Sequence, residues 1–233
     1  MKAVIFAAGL GTRLRPLTDT LPKPMIEIGG KPIIQRTVEA LPDAISEIII
    51  VIGHKGEAIR AHFENSTRPV RCVEQTELRG TYDALMRAKP FLDNEPFLAL
   101  NGDDLYQKED LERLASLAQR SPQGEVGCAM LAHRVPTPNP YSHLESAEGF
   151  LARIIPNKEA IDLPAHEVYV GACILNHDFF ALAPAALPNG EFGLPQTLAQ
   201  HLKTHPVRLI ESRFWLPVGT PEELEAARRA FNN

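Results

Sequence analysis

The stretch AAGLGTRLRPLTDTLPKPM, starting at Ala7, gathers Gly9, Gly11, Thr12, Arg13, Arg15 and a Lys23-Pro24 pair. Glycine has no Cβ, so backbone N–H groups at Ala8, Gly9 and Gly11 can approach an anion closely, while Thr12 and Arg13 add donors. Such a loop can cradle a polyphosphate. Two familiar phosphate motifs do not fit. The dinucleotide fingerprint needs glycine where Leu14 stands, and this stretch lacks the Gly-Lys pair that precedes Ser or Thr in a P-loop. Further along, the apolar run LAL ends in Asn101-Gly102-Asp103-Asp104, an acidic terminus.

These groups need elements to hold them. KAVIFAAG is a short apolar run ending in glycine, which predicts a strand buried on both faces. Ile33, Ile34, Thr37, Val38 and Leu41 fall at helical spacing, and ISEIIIVIG returns as a second buried strand. EAIRAHF, VRCVEQ, YDALMRAKPF and PFLALNGDD continue the alternation, which predicts an α/β fold with a mainly parallel sheet and right-handed crossovers. Ligands of such a sheet gather at the carboxyl ends of the strands. The later segments GEVGCAMLAH, HLESAEGFLARII and EVYVGACILN have strand character with little helix between them, and predict antiparallel additions covering one side of that sheet. Pro136, Pro138 and Pro140 mark a stiff turn. TPEELEAARRAF opens with Thr220 as N-cap, Pro221 at N1 and Glu222 and Glu223 in the first turn.

With 233 residues, 44% of them hydrophobic, one α/β domain over 1–233 is expected. A net charge of −5 gives no general attraction to nucleic acid or an anionic membrane, so cations that bind phosphate must act locally. Cys72, Cys128 and Cys173 are scattered without CxxC spacing and read as thiols of a reducing compartment, in keeping with a cytoplasmic protein that has no membrane span. The eight histidines, His54, His133 and His143 among them, show no metal-binding spacing and read as surface or turn residues.

The run Gly9-Leu10-Gly11-Thr12-Arg13-Leu14, continued by Pro16-Leu17-Thr18 and Pro22-Lys23-Pro24-Met25, resembles the signature of sugar-1-phosphate nucleotidyltransferases, the nucleotide-sugar pyrophosphorylases. The resemblance implies a Rossmann-like three-layer nucleotidyltransferase fold with a mainly parallel mixed central sheet, a nucleotide-binding part at about 1–106 and a sugar-phosphate-binding part at about 107–233. It implies that Arg13 and Lys23 contact the triphosphate while a sugar 1-phosphate attacks the α-phosphorus. Proline after Lys23 stiffens the backbone and suits a fixed charge aimed at developing negative charge. EQTELRGTYDAL is similar to the segment that recognises the base, through Gln75, Gly80 and Thr81. Gln75 carries both a donor and an acceptor for a base edge. LALNGDDLY is similar to the element whose first aspartate, here Asp103, binds Mg2+. Magnesium prefers oxygen ligands and commonly takes one or two carboxylates plus phosphates.

Three departures mark the acceptor side. Where relatives carry a second metal-binding aspartate in Trp-x-Asp-x-Gly-Thr, this chain has Pro217, which cannot ligate through a side chain. Three readings stay open: Asp104 or another acid takes that place, Asp103 acts with phosphate oxygens alone, or activity is reduced. Pro156 and Asn157 occupy the usual Glu-Lys places, leaving Lys158 displaced by one. Ser142 and Tyr169 stand where glycine and asparagine are common, and Glu145, Lys158 and Gly171 complete the candidate sugar-phosphate set with Ser142. The expected activity is transfer of a nucleotidyl group from a nucleoside triphosphate, UTP or dTTP favoured, to a sugar 1-phosphate. The alternatives are a GTP-using mannose-1-phosphate guanylyltransferase, a CTP-using phosphocholine cytidylyltransferase and, from another class, a catalytically weak nucleotide-binding regulatory protein. No long C-terminal extension for a β-helical domain is read in the sequence, and the resemblance is compatible with a homo-oligomer.

Overall fold

The computed structural model describes residues 1–118, 128–135, 141–155 and 166–231. In chain order the strands are β1 (Lys2–Ala7), β2 (Glu27–Ile28), β3 (Lys31–Pro32), β4 (Glu47–Ile52), β5 (Val70–Glu74), β6 (Phe97–Asn101), β7 (Asp104–Tyr106), β8 (Cys128–Val135), β9 (His143–Ala147), β10 (Phe150–Ile155), β11 (His166–Leu175), β12 (Ala185–Ala186), β13 (Phe192–Gly193), β14 (Val207–Glu211) and β15 (Trp215–Pro217). The described α-helices are α1 (Ile33–Ala40), α2 (Glu57–His62), α3 (Thr81–Ala88), α4 (Lys108–Ser116), α5 (Leu194–Gln200) and α6 (Pro221–Phe231).

A nine-stranded sheet in the order β5-β4-β1-β6-β11-β8-β14-β10-β9 runs through the whole chain. Pairing is parallel across β5, β4, β1 and β6; β4, β1 and β6 are buried on both faces, whereas the edge strand β5 exposes Arg71 and Glu74. β11 joins antiparallel to β6, in register Ala172 with Leu100, and β8 joins antiparallel to β11. The later strands therefore extend the sheet from the edge of β6 and do not lie over one of its faces as the sequence suggested. β9 and β10 are joined by a two-residue turn in which Glu148 (φ 53°) and Gly149 (φ 81°) are both left-handed, the geometry of a tight hairpin.

Two apolar layers flank the sheet. Ile5, Ile50, Leu100 and Ile174 face one, and Val4, Ile49, Ala99 and Cys173 face the other, as period-two alternation requires. A third, smaller cluster of Leu14, Ile28, Ile33, Leu105, Val218 and Leu224 seats the loop after β1 against α6. The start of α6 is a reciprocal capping box. The Glu223 N–H donates to Thr220 Oγ1 (3.3 Å) and the Thr220 N–H donates to Glu223 Oε2 (2.9 Å). Helix α4 lies in a segment that carried no helical expectation. Pro136, Pro138 and Pro140 lie outside the described residues. Among the described residues no helix is long and apolar enough to cross a membrane.

Candidate active site

A cleft of about 630 Å3 opens where β1 and β6 end. Its walls include Ala8 to Arg13, Lys23, Gln75, Gly80, Thr81, Asn101 and Asp103 on one side, and Tyr141, Ser142, Tyr169 and Gly219 on the other. The expected nucleotide residues and Ser142 are thus brought together from segments far apart in the chain.

The loop after β1 is shaped by contact as well as by glycine freedom. Gly11 is left-handed (φ 64°), and a Cβ there would stand 2.9 Å from both Lys23 Cβ and Thr18 Cγ2. The buried Thr18 hydroxyl donates to the Gly11 carbonyl (2.9 Å), fixing the turn. Gly9 faces open space. Arg13 is exposed and makes no ion pair among the described residues, whereas Lys23 is buried and its Nζ lies 2.5 Å from Asp103 Oδ2. Gly102 brings Asp103 into place. Its N–H donates to the Phe6 carbonyl (2.8 Å), and a Cβ would press on Ile5 at 2.9 Å.

Gln75 is buried at the end of β5 and donates from Nε2 to the Gly80 carbonyl (3.1 Å) and to Asp83 Oδ2 (3.0 Å). Its amide donor is committed, so its oxygen is the group left to offer a ligand. Gly80 (φ 92°) is the N-cap of α3, and a Cβ there would collide with the backbone of Phe192. Its missing side chain admits the backbone of β13. Thr81 Oγ1 accepts from the Leu194 N–H (2.9 Å), tying α3 to the start of α5.

The two aspartates after Gly102 differ sharply. Asp103 keeps a side chain 35% exposed, while Asp104 is buried, accepts from Asn101 Nδ2 (3.1 Å) and does not line the cleft. Burial, then repulsion from Asp103, pushes the Asp104 carboxyl up to about 7, against the pull of Lys23 and Asn101. Pro217 stands opposite Asp104 in the β15–β7 ladder, so the side chain that replaces the expected second carboxylate adds no oxygen ligand there.

Several expectations on the acceptor side change. Glu145 points away from the cleft, in an exposed ion pair with Arg153 (2.6 Å), because strand alternation along β9 turns Leu144 inward and Glu145 outward. Gly171 (φ 78°) does not line the cleft. Its missing Cβ makes room for the Asn101 side chain, which does. Lys158 lies outside the described residues. His143 is a buried strand residue, not a surface one, and His133 is half-buried with Nδ1 2.8 Å from the Ser212 carbonyl oxygen.

Cleft residues missed from sequence include the polar Asn101, Tyr141, Glu191 and Gln196. Asn101 had a signal, a polar residue ending a fully apolar strand. Tyr141 donates its O–H to Glu223 Oε1 (2.5 Å), a partner 82 residues away, and its ring packs edge-on to Trp215. Glu191 lies in a turn that carried none.

Comparison with known proteins follows this geometry. The chain is 30% identical over 241 residues to the bifunctional protein GlmU of Methanococcus maripaludis, covering 100% of this chain and 55% of that protein. It is 35% identical over 138 residues to the UTP–glucose-1-phosphate uridylyltransferase AglF of Haloferax volcanii, covering 58% of this chain and 55% of that one. The chain spans about half the length of these curated relatives, or less. A crystal structure of a putative glucose-1-phosphate thymidylyltransferase from Bacillus anthracis shares the fold with a TM-score of 0.85 at 21% identity, covering 100% of this chain and 96% of that one. The profile described as nucleotidyl transferase matches residues 2–233, and with the loop after β1, the Lys23–Asp103 pair and this sheet in place, the chain belongs to the nucleotidyl transferase family.

Proposed function

We propose that the chain transfers a nucleotidyl group from a nucleoside triphosphate, UTP or dTTP favoured, to a sugar 1-phosphate, releasing pyrophosphate and forming a nucleoside diphosphate sugar. The observation that carries this reading is the meeting of Lys23 and Asp103 in the cleft that also holds the Gly9–Arg13 loop and Gln75. A phosphate oxygen of the sugar 1-phosphate attacks the α-phosphorus, a new P–O bond forms, and the bond to the β-phosphate oxygen breaks as pyrophosphate leaves. Little covalent work falls to the protein, so positioning and charge stabilisation supply most of the rate. Arg13 and the backbone of Gly9 and Gly11 hold the triphosphate, and Lys23 faces the charge that develops during transfer.

The donor set fits Mg2+ held by one carboxylate. Asp103 is half-exposed on the cleft, whereas Asp104 is buried and engaged with Asn101. Asp103 would hold the ion, with phosphate oxygens and water as its remaining oxygen ligands. When bound, Mg2+ supplies charge neutralisation at the phosphates. Lys23 has to share Asp103 with it.

Base preference follows from the Gln75 oxygen. An acceptor beside the amide of Gly80 matches a base edge with an N–H donor next to a carbonyl, as in the imide of uracil or thymine. The uridylyltransferase activity for which the Haloferax relative is named points the same way. Guanine offers a similar pair, so GTP stays in the test, as does CTP with phosphocholine. A second reading, a catalytically weak nucleotide binder, draws on Pro217 opposite Asp104.

The test is pyrophosphate release with magnesium across UTP, dTTP, CTP, GTP and ATP against a panel of sugar 1-phosphates and phosphocholine. Turnover with one pair supports the enzyme and names its substrates. Silence with retained triphosphate binding turns the reading to the binder.

A further inference from the structure

Behind the phosphate loop, the connection from β4 to α2 runs Gly53-His54-Lys55-Gly56. It is packed tightly at both ends. A Cβ on Gly53 would stand 2.6 Å from the Ala8 carbonyl oxygen, and one on Gly56 would stand 2.7 Å from Ile52 Cβ. Between them Lys55 adopts φ 59°, in the left-handed region that disfavours any residue with a Cβ. A side chain that keeps such a backbone is usually held there by other contacts.

Those contacts lead to the cleft. The Lys55 ammonium donates to the carbonyls of Thr18 (3.1 Å) and Asp19. Thr18 in turn is buried, donates its hydroxyl to the Gly11 carbonyl (2.9 Å), and sets its methyl group against the face where Gly11 lacks a Cβ. Gly11 lines the cleft, while Lys55 does not. The two carbonyls that Lys55 binds belong to consecutive residues at the far end of the loop, so one cation closes the loop onto the β4–α2 connection.

We propose that Lys55 is a positioning residue, which accepts an unfavourable backbone in order to hold Thr18, and through it Gly11, in the conformation that receives the triphosphate. This rests on the nucleotide reading above. It assigns to a residue outside the cleft control over triphosphate affinity, with no contact to the substrate.

Glycine separates this role from a merely structural one. Lys55→Gly relieves the left-handed backbone and removes the ammonium, so a purely structural residue would give an equal or higher melting temperature and an unchanged KM. The proposal expects an equal or higher melting temperature together with a KM for the triphosphate raised about tenfold and kcat changed less than about twofold. Amide hydrogen exchange across residues 8–19 should also quicken in the free protein. Lys55→Met keeps the strained backbone but lacks the donor, and should raise KM likewise, while Lys55→Arg should recover most of the affinity. Wild-type KM and wild-type exchange in both Lys55→Gly and Lys55→Met would overturn the proposal. If the wild-type protein binds no triphosphate, the nucleotide reading fails, and the exchange rates alone decide whether Lys55 holds the loop.

Discussion

Lys23 and Asp103 lie 2.5 Å apart in the cleft, and the proposed reaction gives each a different partner, the cation a phosphate and the carboxylate a metal. Asp103→Asn keeps the shape and the hydrogen-bonding oxygen but loses the charge. It should lower metal-dependent turnover by about a hundredfold or more, the scale of a lost electrostatic contact at a reacting centre. Some stability should go as well, about 1–3 kcal/mol, because Asp103 is partly solvated but the Lys23 ammonium it leaves without a charge partner is buried. Steady-state pyrophosphate release beside a thermal melt checks both, and near-normal turnover would take Asp103 out of the metal role. Lys23→Ala should likewise cost more rate than stability. Gln75→Ala removes the oxygen offered to the base as well as the tie to Asp83, so preference among the five triphosphates should flatten by roughly tenfold or more in relative kcat/KM. An unaltered preference would exclude Gln75 from base recognition.

Elements whose information is local were legible in sequence. β1, β4 and β6 are short apolar runs ending at glycine or polar groups, and α1 carries its buried Ile33, Ile34, Thr37 and Val38 at helical spacing. The turn after β1 was legible for the same reason, because Gly11 and Thr18 act within one short stretch. Helix α4 was not, since KEDLERLAS is mostly charged and its N-cap Gln107 makes no side-chain capping bond, although Leu111 and Leu114 are buried. On the acceptor side linear resemblance misplaced Glu145, whose direction is set by the pleat of β9. Gly80 shows a subtler limit, because the contact that demands glycine comes from Phe192, a neighbour distant in sequence. Gly80→Ala should therefore act on the element before it acts on the base. The backbone of β13 would have to move from the start of α3, at a cost of about 1–3 kcal/mol for a forced steric insertion. Urea unfolding measures it, and wild-type stability with reduced nucleotide affinity would instead assign Gly80 to the ligand alone.

At the scale of the molecule, Asp110 joins the two halves of the chain. It lies in the first turn of α4, is fully buried, and accepts at Oδ2 from the Ser212 hydroxyl (3.0 Å) and the N–H groups of Arg213 (2.7 Å) and Phe214 (3.1 Å). At Oδ1 it accepts from Arg113 (2.6 Å). The segment it grips leads into β15, which pairs with β7 and delivers Gly219 to the cleft. Burial alone would raise this carboxyl, but the hydrogen bonds from Arg113, Phe214, Ser212 and Arg213 outweigh it and hold the group below its ordinary value. A carboxyl whose folded value is depressed contributes stability above its unfolded value and loses that contribution as pH falls through the folded one. Asp110→Asn puts an amide N–H against donors that need an acceptor and leaves Arg113 without its charge partner, so at pH 7 it should cost about 2–4 kcal/mol. Urea unfolding of both proteins from pH 7 downward should show the gap holding to about pH 4, near the value of an unfolded aspartate, and narrowing below it as the wild-type carboxyl takes up its proton. A gap independent of pH across that range would mean that shape and not charge makes the clamp. No gap at all would mean that β15 finds its place against β7 without it.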